Sequence, residues 1–225
     1  MKEKRFSSGI ALFTSITALL TLVLAYNTPP LSGPFCQNGC FQYPYLDIAS
    51  RFPRDYYWMF PTMVFLITYL IMMICIRNRA DKSNRLFGQI GAVFATISTT
   101  VLLIVYFTQI SIVQPSLLKN ETDGISLFTQ FNPHGFFIAM EELGFIVMSL
   151  SFLFAGLTFS ANNKLEKWIK WIFISSFILT TISLILITIG LGLQREYVFE
   201  VASISFTWLT LIINGFLLYK LFKRD

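Results

Sequence analysis

Six stretches of the chain are apolar almost without a break, near 7–26, 58–76, 87–111, 136–159, 168–193 and 198–219, and the charged residues collect between them. Each run reaches roughly 18 residues or more, enough for a helix rising about 1.5 Å per residue to cross a bilayer core of about 30 Å. The pattern predicts six transmembrane helices. Two of the intervening segments are long, at 27–57 and 112–135, two are short and charged, near 77–86 and 160–167, and the last is a tight turn around Gln194-Arg195-Glu196. Helices five and six are therefore expected to form an antiparallel hairpin. No segment outside the runs is long enough to fold as a separate soluble domain, so residues 1–225 are read as one all-α membrane domain, a six-transmembrane-helix bundle.

Composition agrees with the pattern, at 55% hydrophobic and only 13% charged residues where a soluble chain carries near a quarter charged. The net charge of +5 raises the question of a nucleic-acid partner, which the placement of the basic residues answers. Lys2, Lys4, Arg5, Arg77, Arg79, Lys82, Arg85, Lys164, Lys167, Lys170, Lys220, Lys223 and Arg224 all fall on one side of the predicted membrane, against Arg51, Arg54, Lys119 and Arg195 on the other. Such a division is the positive-inside rule, so both termini are expected in the cytoplasm, in a cell membrane, and no nucleic-acid partner is expected. The first run follows Lys2-Lys4-Arg5 as a signal peptide would. Its exit, Leu24-Ala25-Tyr26-Asn27-Thr28-Pro29, lacks a small-x-small cleavage site, and it is read as a retained helix.

This orientation sends the cysteines of Cys36-Gln37-Asn38-Gly39-Cys40 to the oxidising side, where a disulfide is the simplest expectation, while Cys75 reads as a small buried hydrophobe. Phe41, Tyr43, Tyr45, Phe52, Tyr56, Tyr57 and Trp58 follow as the chain re-enters the membrane, and read as an aromatic belt at the interface, with Trp168 and Trp171 as its inner counterpart. Asn120-Glu121-Thr122 matches a glycosylation sequon, which matters only in a eukaryotic secretory host.

The chemistry-bearing residues lie within the spans. A charged carboxylate at mid-span costs about 2.5 to 3.5 kcal/mol on insertion scales, yet Glu141 and Glu142 stand together about two turns into the fourth helix. His134 is seven residues from Glu141 and would share its stripe, whereas Glu142 is rotated by about 100° toward a different neighbour. At similar depth the antiparallel helices bring Tyr106, Gln109 and Gln114 at the end of helix three and Glu200 at the start of helix six, with Arg195 as counter-charge. These residues form the candidate ligand-binding set, a polar cluster confined to the outer half. Read without a ligand, the same groups would tie helices together by hydrogen bonds worth about 1 kcal/mol each.

A Glu-Glu pair in a membrane helix resembles part of the motif of the intramembrane CAAX-type prenyl proteases, but Ile146 stands where that family places an arginine and the chain has a single histidine, so the assignment is rejected. One histidine also argues against haem and multi-histidine zinc chemistry, and neither a phosphate-binding glycine loop nor a serine-nucleophile motif is present. No catalytic residues, metal or cofactor are therefore expected. The sequence points to binding or transport of a proton, cation or small polar solute around Glu141 and Glu142. The alternatives are an accessory or assembly protein with a structural cluster, and an intramembrane enzyme acting on a lipid-soluble substrate. Orientation is directly testable: alkaline phosphatase fused after residue 120 should be active, and fused after residue 82 or at the C-terminus inactive, with a fluorescent-protein reporter giving the opposite pattern. Equal signals at these positions would overturn the assignment.

Overall fold

A computed structural model describes residues 2–224, which contain helices and turns and no strand. Six helices are long and apolar enough to cross a membrane. We number them α1 (Lys2–Tyr26), α2 (Met59–Arg79), α3 (Arg85–Thr108), α4 (Phe136–Thr158), α5 (Lys164–Leu191) and α6 (Glu196–Arg224). Most outrun the apolar stretches that announce them: α1 starts at Lys2, α2 continues to Arg79, α5 begins at Lys164 and α6 reaches Arg224. Lys and Arg are good helix formers whose stems lie along apolar surface while their heads reach water, so the backbone ladder continues where hydropathy stops. Past α3 the chain takes one wide turn at Gln109–Val113 and then a last helical stretch at Gln114–Leu118, with Pro115 in its first turn where no backbone donor is needed.

Each helix packs against its chain neighbours and α6 returns to α1, so the bundle closes on itself, with α4 also contacting α6 and α2. Close approach is bought by small residues, as membrane helices require. At the α1–α6 crossing a Cβ on Gly215 would stand 2.8 Å from the Ala11 carbonyl oxygen, and Ser15 Oγ donates to the Ile212 carbonyl at 2.6 Å. Inside, Ser98 Oγ donates to the Gly144 carbonyl at 2.8 Å, and Tyr69 of α2 hydrogen-bonds Ser151 of α4 among buried Phe65, Phe145, Phe152 and Trp208. By contrast, α5 turns most of its apolar side chains outward, Trp168 and Trp171 among them.

The two ends of the bundle differ. Glu3, Asn78, Arg79 and Phe222 line one shallow depression, which places the starts and ends of α1, α2 and α6 together at the basic end. There Asn163 caps α5 by accepting the Glu166 N–H at 3.0 Å, and Arg79 donates to the Glu166 carboxylate at 2.8 Å, joining α2 to α5. At the opposite end the loop 27–58 folds back on itself through a Phe41 N–H to Leu31 carbonyl bond at 2.8 Å and a Cys36–Cys40 disulfide with Cα atoms 5.9 Å apart. Cys75 is buried and free, as expected. The expected aromatic belt divides: Tyr43, Phe52 and Tyr57 are exposed, whereas Tyr56 and Trp58 turn into the core. Residues close to a helix start are steered by rotation about the axis as well as by depth.

Replacing Gly215 with leucine should force α1 and α6 apart and cost about 1–3 kcal/mol by overpacking. A fall of several degrees in the melting temperature of detergent-solubilised protein checks it, and an unchanged value would show that the crossing is not close-packed.

Candidate functional site

The polar cluster lies at the loop end and is built chiefly from α3, α4 and α6. Glu141 is fully buried and accepts a hydrogen bond from the Tyr106 hydroxyl, so α4 and α3 are joined through the acid. Near it stands Glu200, one turn into α6 and also buried, while Glu141 Oε2 has no hydrogen-bond partner among the described residues. Glu142, on the adjoining stripe, receives Arg195 Nη1 at 2.6 Å from the turn before α6. The two consecutive acids thus serve two different neighbours, as rotation by about 100° requires. Arg195, expected beside Glu200, is committed instead to Glu142, and its guanidinium also lies 5.5 Å from the centre of the Phe199 ring. Arg195 follows a tight turn at Gly192–Gln194 that opens with Gly192 at φ +58°, a conformation that glycine adopts without strain.

The other predicted residues sit elsewhere. Gln109, buried at the start of the wide turn, donates to the Phe128 carbonyl at 2.5 Å and accepts from the Gln130 N–H at 3.0 Å, which clamps the second long loop onto α3. Gln114 is buried, and its Nε2 has no hydrogen-bond partner among the described residues. His134 precedes α4 rather than belonging to it: Gly135 is the extended cap residue, and the exposed His134 takes part in a turn in which its N–H donates to Asn132 Oδ1 at 3.0 Å. Extrapolating the stripe of α4 back to His134 therefore fails at the cap. Among the described residues, no three His, Cys, Asp or Glu side chains converge as a metal-ligating group.

Beside the acidic cluster is a cavity of about 390 Å³, within the range of small-molecule sites. Glu200 is the member of the cluster that lines it; Glu141 and Glu142 stand behind. Its walls are mainly apolar and aromatic, with Trp58, Phe137 and Trp208 prominent, and its polar lining comes from Ser32, Asp55, Gln130, Tyr197, Glu200 and Ser205. The roof is latched by Tyr197, whose hydroxyl donates to the Gln130 carbonyl at 2.9 Å and whose oxygen lies 2.7 Å from Ser32 Oγ, drawing both long loops onto α6. Gly33, at φ +68°, lies against the Tyr197 ring where no side chain fits.

Compared with models of protein families, with curated proteins and with solved structures, the chain matches none. Its site is therefore read from its own geometry.

Asp55, Tyr197 and Trp208 did not stand out in the sequence, and Trp58 was read only as part of the interface belt. Asp55 carried the one available signal, an acid inside an aromatic segment entering a span. Its Oδ1 accepts Arg54 Nε at 2.6 Å while the residue is only 1% exposed.

Arg195→Met leaves Glu142 without its guanidinium and should cost about 3 kcal/mol, the lower end for breaking a buried pair because Arg195 is partly solvated. Adding Glu142→Gln should restore most of that loss in thermal denaturation. Additive losses in the double variant would show that the two side chains are not energetically coupled.

Proposed function

We propose that this protein is a multi-pass membrane protein that binds a cation in exchange for a proton at the acidic centre formed by Glu141, Glu142 and Glu200, with the cavity opening on the outer side. The observation that carries this reading is the burial of two carboxyls, Glu141 and Glu200, on helices that pack against each other, with Glu141 Oε2 left without a hydrogen-bond partner among the described residues. Two such carboxylates in a low dielectric do not both hold a negative charge, so a shared proton or a bound cation must lie between or beside them. Arg195 is engaged by Glu142 and so leaves that requirement to be met by a mobile charge. The Tyr106 hydroxyl orients Glu141 so that the exchange takes place on the side of Glu200, which faces the cavity. Outward orientation rests on the distribution of Lys and Arg, with thirteen of seventeen at the opposite end.

A second reading has its own support. Tyr106–Glu141 and Arg195–Glu142 join α3 to α4 and α4 to the start of α6, as the polar ties of an accessory or assembly protein would.

Infrared difference spectroscopy separates the two. Purified protein should show a protonated-carboxyl band that diminishes, with proton release, when cations from sodium and potassium to small alkylammonium ions are added in turn. Glu141→Gln together with Glu200→Gln should abolish band and response with little change in melting temperature. If no cation alters the wild-type band and the double variant only loses stability, the structural reading replaces this one.

A further inference from the structure

α5 is the least enclosed of the six long helices: 17% of its most apolar stretch is buried, against 39% or more in each of the others. Its buried residues, Glu166, Ile169, Phe173, Ser176 and Thr180, recur three or four positions apart and so lie on one face. On the opposite face the same spacing sets out a graded stripe. It starts with exposed Lys164 and Lys167, passes through Trp168 and Trp171, at 58% and 54% exposed, and continues through Ile178, Ile182 and Ile185. Any lipid chain would cover the aliphatic part. The two lysines at its head ask for more.

Their charge is placed where it is costly and unanswered. Both stand within the first four residues of α5, at the positive end of the helix dipole, where an anion is favoured and a cation is not. Glu166, the only acid of this helix, is buried on the other face and accepts Arg79 at 2.8 Å. Among the described residues neither lysine makes an ion pair. Other cations of this end are occupied: Lys170 donates to the Phe159 carbonyl at 3.2 Å, and Lys220 lies 4.4 Å from the centre of the Phe216 ring. A second copy of the chain would not supply the missing negative charge. Copies inserted in one orientation and paired through α5 about a two-fold axis would set lysine against lysine.

We propose that this stripe binds an anionic phospholipid, with the headgroup on Lys164 and Lys167, the glycerol region against Trp168 and Trp171, and the acyl chains along Ile178 and Ile182. From Lys167 to Ile182 the helix rises about 22 Å at about 1.5 Å per residue, the depth of one leaflet in a bilayer about 40–45 Å thick with its headgroups. The division of basic residues assigns this end to the cytoplasmic leaflet, whose surface potential is negative. A zwitterionic lipid carries its own cation beside the phosphate and gains less from the lysines. The site is at the opposite end of the bundle from the acidic centre and does not depend on the cation reading.

The test is tryptophan quenching in phosphatidylcholine vesicles that hold the full-length protein at low density. Phosphatidylglycerol or phosphatidylcholine, brominated at the headgroup end of its acyl chains, is included at equal mole fraction. The signal of Trp168 and Trp171 is isolated by subtracting that of a Trp168→Phe, Trp171→Phe variant. Brominated phosphatidylglycerol should quench it with a relative affinity roughly fivefold higher than the phosphatidylcholine. Salt at about 1 M, where the Debye length is about 3 Å, should remove most of that preference. Lys164→Gln with Lys167→Gln should abolish it, and Lys164→Arg with Lys167→Arg should keep it. Both lysines are exposed, so an unchanged melting temperature is expected and shows that each variant is folded. Equal quenching by the two lipids, or a preference that survives the glutamine pair, would overturn the proposal. So would equal quenching that appears only as the protein is diluted further, because a second copy would then be what covers the face.

Discussion

Three carboxyl groups on two neighbouring helices, Glu141 and Glu142 of α4 and Glu200 of α6, have to be accommodated where water cannot solvate them. The bundle answers with unequal partners. Glu142 receives a full guanidinium from Arg195, Glu141 receives the Tyr106 hydroxyl, and Glu200 lines the cavity. The arrangement leaves a deficit of positive charge on one side of α4 only. Much of the loop end can be understood as a frame that holds this asymmetry, since displacing α6 would undo two of the three placements at once.

The frame is fastened at several levels. Gly215 lets α6 lie directly on α1, and nearer the loop end residues of both helices line the cavity. Gln109 clamps the second long loop, and Tyr197 draws both long loops onto α6. Each of these ties uses a side chain to satisfy backbone groups that irregular segments leave unpaired. The roof of the cavity is therefore loop, but loop anchored to α6 and to the turn that follows α3. Such anchoring favours a largely preformed chamber over one that has to assemble around its ligand.

Structural and functional uses of polar residues are distinguished here by satisfaction rather than by residue type. Ser98 and Tyr69 are buried in the bundle, and each makes a hydrogen bond between helices. Gln109, equally buried and originally grouped with the acids, has both ends of its amide occupied by backbone. In contrast, Asp55 Oδ2 and Trp208 Nε1 are buried without a hydrogen-bond partner among the described residues, in two side chains that line the cavity. That difference moves attention from the acidic pair, conspicuous in the sequence, to the chamber next to it.

The number of long apolar helices, their approximate limits, the antiparallel turn between the last two and the Cys36–Cys40 pairing were legible in the sequence, because hydropathy, turn residues and short spacing are properties of neighbours along the chain. So was the conspicuousness of Glu141 and Glu142, since the cost of a carboxyl in an apolar run needs no knowledge of the fold. The tertiary structure alone decided that Arg195 goes to Glu142, that His134 lies outside α4, that Gln109 serves a loop, and that Asp55, Trp58 and Trp208 share a cavity with Glu200. These facts depend on the rotation of each helix about its axis and on where α1, α6 and the long loops meet. Both are settled by packing between segments distant in the chain, and no local pattern of residues encodes them.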